Sequence, residues 1–281
     1  MSPLDLGVVE SKQLCERTYE LVIHAPLVAE RARAGQFVIL KWDEEGERIP
    51  LTIADFDRDR GTVTVVFLVV GRSTREFSML KRGDVIRDVV GPLGRPTELR
   101  SSGKVVCVGG GVGIAAAHPV ARAFKEAGAT VISIVGARSR NALFWEDKMR
   151  LASHDLIVCT DDGSYARKGF VTDALRETIE RENVDEVFAV GPTVMMKAVA
   201  GVTRPKAIRT IVSLNPIMLD GTGMCGGCRV RVGKEIKFAC VDGPDFDAHD
   251  VDFDYLMMRQ RAYLAEEKIA DERCRIHEQH T

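Results

Sequence analysis

One stretch limits what this chain can fold into more than any other. It is Leu219-Asp220-Gly221-Thr222-Gly223-Met224-Cys225-Gly226-Gly227-Cys228-Arg229-Val230, completed by Cys240 in Phe238-Ala239-Cys240-Val241-Asp242-Gly243-Pro244. Four residues separate Asp220 from Cys225, two separate Cys225 from Cys228, and eleven separate Cys228 from Cys240. That is the x4, x2, distant-fourth spacing of a [2Fe–2S] loop, with a carboxylate where the first thiolate usually stands. Two irons and two sulfides need four anionic donors converging from one side. The glycines at 221, 223, 226 and 227 let the backbone curl round such a group and aim amides at its sulfurs. A C-x2-C pair alone also suits a structural zinc knuckle with three cysteines and a fourth ligand. The x4 arm and the glycine density favour iron–sulfur, with Asp220, Cys225, Cys228 and Cys240 as candidate ligands.

A redox centre needs a source of electrons, so the rest of the chain is read for one. Its 281 residues suggest two domains and a small third piece, and 45% hydrophobic with 28% charged residues describes an ordinary globular chain. A net charge of −2 gives no reason to expect nucleic acid or an anionic membrane. Met1 to Lys12 lacks the basic and apolar regions of a secretory signal, and the longest apolar run, Val63 to Val70, is far too short for a bilayer. Cys15, Cys107, Cys159 and Cys274 are scattered singly, which is no disulfide framework and fits a reducing cytoplasm. The six histidines show no metal-ligand pairing and read as ordinary polar residues.

Residues 1–98 read as all-β, with short runs at Thr18 to His24, Phe37 to Trp42, Thr62 to Val70 and Val85 to Val90 and no long amphipathic helix. Some six such strands predict a small antiparallel barrel that closes its own edges. Residues 99–213 alternate strand and helix. Strand Val105 to Val108 runs into a glycine turn and a helix to Ala127, then strand Thr130 to Val135, helix Leu143 to Leu151 and strand Leu156 to Thr160. Helix Val171 to Arg181, strand Glu186 to Val190 and helix Pro192 to Val199 follow, the pattern of a doubly wound parallel sheet. Residues 214–281 hold the cluster segment and a helical tail over Tyr255 to Arg273. The six aspartates of Asp242 to Asp254 read as a solvated acidic stretch, without the spacing of a calcium loop.

Three further motifs bear on chemistry. Gly109-Gly110-Gly111-Val112-Gly113-Ile114 joins a strand to a helix, where amides and missing Cβ atoms suit a pyrophosphate. The acidic ribose ligand expected after the second strand is replaced by Gly136-Ala137-Arg138. In Arg48-Ile49-Pro50-Leu51-Thr52, an arginine and a hydroxyl four residues apart share one face of an extended stretch. Gly71-Arg72-Ser73-Thr74 has the makings of a helix cap that binds phosphate through its amides. Each taken alone is also ordinary strand or turn chemistry.

In this order, and with the cluster loop, the motifs resemble those of ferredoxin-reductase-like electron-transfer flavoproteins over nearly the whole chain. The resemblance implies FAD on the barrel at Arg48, Pro50, Leu51, Thr52, Gly71, Ser73 and Thr74, with Thr52 near the flavin N5. It implies NAD(H) at Gly110, Gly111, Val112, Gly113, Ile114, Gly136, Arg138, Asp162, Gly191, Pro192 and Met195. Val190 stands where many relatives carry a cysteine, so no thiol is expected near the nicotinamide. The C-terminal loop resembles two branches, the dihydroorotate dehydrogenase electron-transfer subunit and the small subunit of NADH-dependent reduced ferredoxin:NADP oxidoreductase, also known as sulfide dehydrogenase β subunit. Met224-Cys225-Gly226-Gly227-Cys228-Arg229-Val230, Phe238 to Pro244 and Asp220 in the first ligand place are similar to the second branch. It implies an oxidoreductase subunit in flavin-based electron bifurcation, joined as a heterodimer to a larger flavin and iron–sulfur subunit with an NADPH site, and serving ferredoxin indirectly. Hydride transfer between cofactors needs no general acid or base, so no catalytic side chain is expected. A non-catalytic redox sensor is the reading from another class.

Overall fold

Alternating apolar residues in the first hundred positions pair into six antiparallel strands. They are β1 (Val8–Cys15), β2 (Thr18–His24), β3 (Phe37–Lys41), β4 (Ile49–Asp57), β5 (Thr62–Leu68) and β6 (Asp88–Leu93), in the order β1-β2-β5-β4-β3-β6. The structure is a computed structural model and describes residues 6–278; the outer ends of the first and third expected units, 1–5 and 279–281, lie outside the described residues. A bridge between Gly7 and Val85 brings the β1 edge to the chain entering β6 and closes the barrel. Leu21, Ile23, Val38, Leu40, Ile53 and Val65 are fully buried inside it. Burying each such side chain stabilises the fold by roughly 1.5–3 kcal/mol.

Three local features differ from expectation. The barrel carries two short helices, α1 (Pro26–Arg31) and α2 (Arg72–Met79). Pro26 opens α1, and the Thr74 hydroxyl accepts from the Val70 and Gly71 amides at the start of α2. Each is too short to show as an amphipathic repeat. The last strand lies at Asp88–Leu93 rather than Val85 to Val90, because Ile86 turns fully into the barrel core.

Nine further strands follow: β7 (Lys104–Gly110), β8 (Thr130–Ala137), β9 (Asp155–Thr160), β10 (Arg167–Lys168), β11 (Glu186–Val190), β12 (Arg209–Ser213), β13 (Arg229–Val232), β14 (Glu235–Phe238) and β15 (Asp245–Asp247). The hairpin β13–β14 stands apart, and the others form one sheet in the order β10-β9-β8-β7-β11-β12-β15. Residues alternate across it. Val105 and Cys107 pack under α3 (Gly113–Glu126) and α4 (Glu146–Ala152), while Val106 and Val108 pack under α5 (Val171–Arg181) and α6 (Thr193–Thr203). Strand order reverses between β7 and β11, and ligands of such sheets bind at that switch point. Helix α4 starts at Glu146, not Leu143, because Trp145 takes a left-handed φ of 57° and Phe144 is drawn into the core.

The acidic stretch is not simply solvated. Its residues Asp245–Asp247 form β15, which pairs antiparallel with β12 through Val212 opposite Phe246. One apolar core runs from α6 through Leu214, Val230 and Cys240 to Leu256, and takes in Phe37 and Ile39 of β3. After α7 (Ala239–Asp242) the tail divides into α8 (Phe253–Gln260) and α9 (Leu264–Glu278) instead of one helix. Asp252 caps α8 by accepting from the Tyr255 amide, and Asp254 pairs with Lys197.

The barrel meets the nucleotide sheet at a polar seam. Asp55 pairs with Arg122 at 2.6 Å, the Trp145 indole donates to Glu20 at 2.9 Å, and His118 lies 3.1 Å from the Ala54 carbonyl. His118, read from the sequence as an ordinary polar residue, is buried.

Asp245 gives the fold a pH dependence. It accepts from the Thr97 hydroxyl at 2.6 Å, and burial pushes its carboxyl up to about 6. The unfolded chain ionises the same group near 3.9, so this contribution is full below about pH 4 and is lost as pH rises through about 6. Asp245→Asn is therefore expected to be more stable than the parent at pH 8 by on the order of 2 kcal/mol, and to level the stability profile between pH 4 and 7. Urea unfolding across that range checks it; parallel profiles for the two proteins refute it.

Candidate functional site

The barrel brings its two motifs together. Arg48 lies just before β4, where Pro50 faces Ile39 and Thr52 faces Phe37 of β3. Arg48, Pro50 and Thr52 occupy alternate positions, while Leu51 packs against the barrel core. The Ser73 hydroxyl donates to Glu47, the neighbour of Arg48, so the N-terminus of α2 sits beside the start of β4. Thr74 is spent on its own turn, accepting from two amides and donating to the Gly71 carbonyl. It shapes the turn at the start of α2, and backbone amides at a helix N-terminus suit an anion.

The nucleotide motifs meet at the carboxyl ends of β7, β8 and β11. The Gly111 amide donates to the Gly136 carbonyl at 2.8 Å, which fixes the turn against β8. A Cβ at Gly113 would strike the Val190 carbonyl, one at Gly110 the Met195 sulfur, and one at Gly136 the Val171 side chain. These positions are closed to larger residues by packing. Val112 opens α3 and is partly exposed, while Ile114 is buried beneath the turn. Beyond β8, Arg138 lies beside the end of β9, where the Asp162 amide donates to the Arg138 carbonyl. Asp162 accepts from the Ser164 amide at 2.9 Å, and the Ser164 hydroxyl and amide hold its carboxyl below the usual range. Two aspartates, Asp161 and Asp162, follow the adjacent strand β9 beside Arg138.

The cluster loop is wedged between these two units. Gly221 packs so closely on β3 and β6 that a Cβ would lie 2.9 Å from both Ile39 and Leu93. Arg48 Nη2 reaches the Asp220 carbonyl at 3.4 Å. The Asp220 carboxylate accepts from the Thr222 amide at 2.9 Å and from its hydroxyl, which pull its pKa down. Cys225 is exposed and accepts from the Gly227 amide, which lowers its pKa. Cys228 and Cys240 are buried with sulfurs 3.1 Å apart, and burial together with Cys228 pushes the Cys240 thiol up. Among the described residues, no three His, Cys, Asp or Glu side chains gather round one ion position. The donor set fits a dinuclear cluster: Cys228 and Cys240 bring two adjoining buried sulfurs, and amides face the sulfurs of Cys225 and Cys228.

Sequence reasoning missed Arg95. Its Nε donates to the Val241 carbonyl at 3.0 Å and its amide to the Gly243 carbonyl at 2.7 Å. A lone arginine after a turn carries no pattern that announces such a long-range contact. The seam residues His118, Trp145 and Arg122 were missed for the same reason.

Comparison with known proteins agrees with this geometry. The family described as the iron–sulfur cluster binding domain of dihydroorotate dehydrogenase B matches residues 215–252. A Thermotoga maritima protein, a homolog of the electron transfer subunit of dihydroorotate dehydrogenase B (NAD(+)), is 48% identical over 95% of this chain and 94% of its own. The Fusobacterium nucleatum electron transfer subunit of that enzyme is 32% identical over 89% of this chain and 98% of its own. A solved structure of NADH-dependent reduced ferredoxin-NADP oxidoreductase, studied for flavin-based electron bifurcation, superposes with a TM-score of 0.92. It is 45% identical and covers 97% of this chain and 99% of that one. With a barrel, a nucleotide crevice and a matched iron–sulfur loop in the same order, the chain belongs to the family of dihydroorotate dehydrogenase B electron transfer subunits and their homologues.

Proposed function

We propose that this chain is the electron-relay subunit of an NADH-dependent reduced ferredoxin:NADP oxidoreductase. One observation supports the reading: Arg48, expected at the flavin, reaches the Asp220 carbonyl of the cluster loop, so the residues proposed for flavin and metal adjoin within one chain. When bound, FAD takes hydride from the nicotinamide and the [2Fe–2S] cluster passes electrons on one at a time.

The protein supplies position. Arg48 and the amides at the start of α2 hold the FAD phosphates, and Thr52 donates toward the flavin N5. Pro50, Leu51, Gly71, Ser73 and Thr74 shape that site. The turn from Gly110 to Ile114 faces the dinucleotide pyrophosphate, with Gly191, Pro192 and Met195 on the β11 side and Gly136, Arg138 and Asp162 on the β8 side. Asp220, Cys225, Cys228 and Cys240 hold the cluster. The functional units are 1–98 for FAD, 99–213 for NAD(H) and 214–281 for the cluster and tail.

A larger flavin and iron–sulfur subunit with an NADPH site covers the cluster loop, where Leu219 and Met224 are exposed. Ferredoxin is served through that partner. Among the described residues six cysteines are free, which supports a cytoplasmic setting, and no described helix is long and apolar enough to cross a membrane.

The isolated chain is expected to show flavin and iron–sulfur absorption, to be bleached by NADH faster than by NADPH, and to reduce artificial dyes. It is not expected to couple NADH oxidation to NADP or ferredoxin. Full-rate coupling by the chain alone sinks the half-enzyme reading, and a spectrum without flavin bands favours a redox sensor. The subunit that co-purifies separates this enzyme from dihydroorotate dehydrogenase.

A further inference from the structure

The two arms of the cluster loop leave the nucleotide sheet and lean on the barrel, and an arginine of the barrel unit meets each arm. Arg48 reaches the Asp220 carbonyl on the first arm. On the second, Arg95 donates through Nε to the Val241 carbonyl and through its amide to the Gly243 carbonyl, with Nη2 3.7 Å from Asp242. Asp242 in turn accepts from the Phe238 amide at 2.8 Å, so the contact closes the short α7 that carries Cys240. The two arginines are 47 positions apart in the chain, yet both hold backbone carbonyls at or next to candidate ligands.

We propose that Arg95 is a positioning residue for the cluster, and that with Arg48 it clamps both arms of the ligand loop to the flavin unit. This rests on the iron–sulfur reading above. Groups that hydrogen-bond around a ligand set fix its orientation and tune the metal, and each electron taken up by a cluster adds negative charge that a nearby cation stabilises. Arg95 is the cleaner of the two to test, because Arg48 also belongs to the flavin motif. The Arg95 side chain is 70% exposed, so its charge is screened and the carbonyl contact is the larger part of its effect.

Arg95→Gln and Arg95→Lys are made in the full chain, with Arg82→Gln as a background for removing one surface charge. FAD content reports whether each variant has folded. In Arg95→Gln, an iron chelator is expected to remove the cluster several-fold faster than from the parent. The g values of the reduced cluster are expected to shift, and its midpoint potential to fall, most at low ionic strength. Arg95→Lys keeps the charge but cannot reproduce the planar donor, so it restores the potential more than the resistance to chelator. An Arg95→Gln protein that keeps its FAD and has the parent's chelation rate, g values and potential overturns the proposal. Parent protein without iron ends the iron–sulfur reading instead.

Discussion

Gly111→Asp is expected to slow reduction of the bound flavin by NADH at least about 100-fold, a loss of roughly 2.7 kcal/mol in transition-state stabilisation, with FAD and iron content unchanged. Gly111 has φ of 55° and, its chain neighbours aside, no atom within 4 Å of where its Cβ would stand. Open space above a turn of amides, at the carboxyl ends of parallel strands, is where a pyrophosphate lies. Aspartate tolerates the left-handed conformation better than most residues, so the fold loses about 1 kcal/mol while the new carboxylate takes the phosphate's place. Gly111→Ala separates shape from charge and is expected to cost far less. Stopped-flow reduction with NADH measures both. A Gly111→Asp protein reduced at the parent rate places the nucleotide elsewhere.

The legible parts of this chain are those whose signal is local. The spacing of Asp220, Cys225, Cys228 and Cys240 reads directly from the sequence, and the iron–sulfur family match covers the segment that holds them. The parallel sheet reads from strand–helix alternation, because each crossover needs a helix between two apolar runs. Barrel closure was expected from strand count, although the bridge that completes it, Gly7 to Val85, has no signature of its own.

What failed to show is long-range. Asp245-Phe246-Asp247 reads as acidic coil, yet it becomes an edge strand because β12 would otherwise expose its hydrogen-bonding edge and the apolar core beneath. The tail breaks at Arg261 to Tyr263, after Gln260 is held by Thr193 and Asn215, partners far away in the chain. Thr74 and Asp162, expected at the cofactor sites, also hydrogen-bond within the turns they sit in, which their motifs do not announce. The candidate motifs read from the sequence, whereas the contacts that surround them are not encoded in sequence patterns.

Cys228→Ala is expected to reduce bound iron from about two per chain to nearly none, with loss of the reduced-cluster EPR signal, while FAD occupancy stays near that of the parent. Cys228 is 2% exposed and joins the apolar core under the hairpin β13–β14, so the alanine leaves packing largely intact. The chemistry is less forgiving. Removing one thiolate leaves an iron with an open position, and the partner sulfur of Cys240 reverts to a buried thiol that burial keeps protonated. Asp220→Ala is expected to act in the same direction with a smaller loss, since a carboxylate binds iron less tightly than a thiolate and Thr222 loses its acceptor. Asp220→Cys restores a four-thiolate set and is expected to retain the cluster with altered g values and a changed potential. Arg48 keeps its contact with the Asp220 carbonyl in both variants and loses only its attraction to the carboxylate. Iron assay, visible absorption and EPR of the three variants decide the assignment. A Cys228→Ala protein with full iron and an unchanged EPR signal excludes this loop as the cluster site.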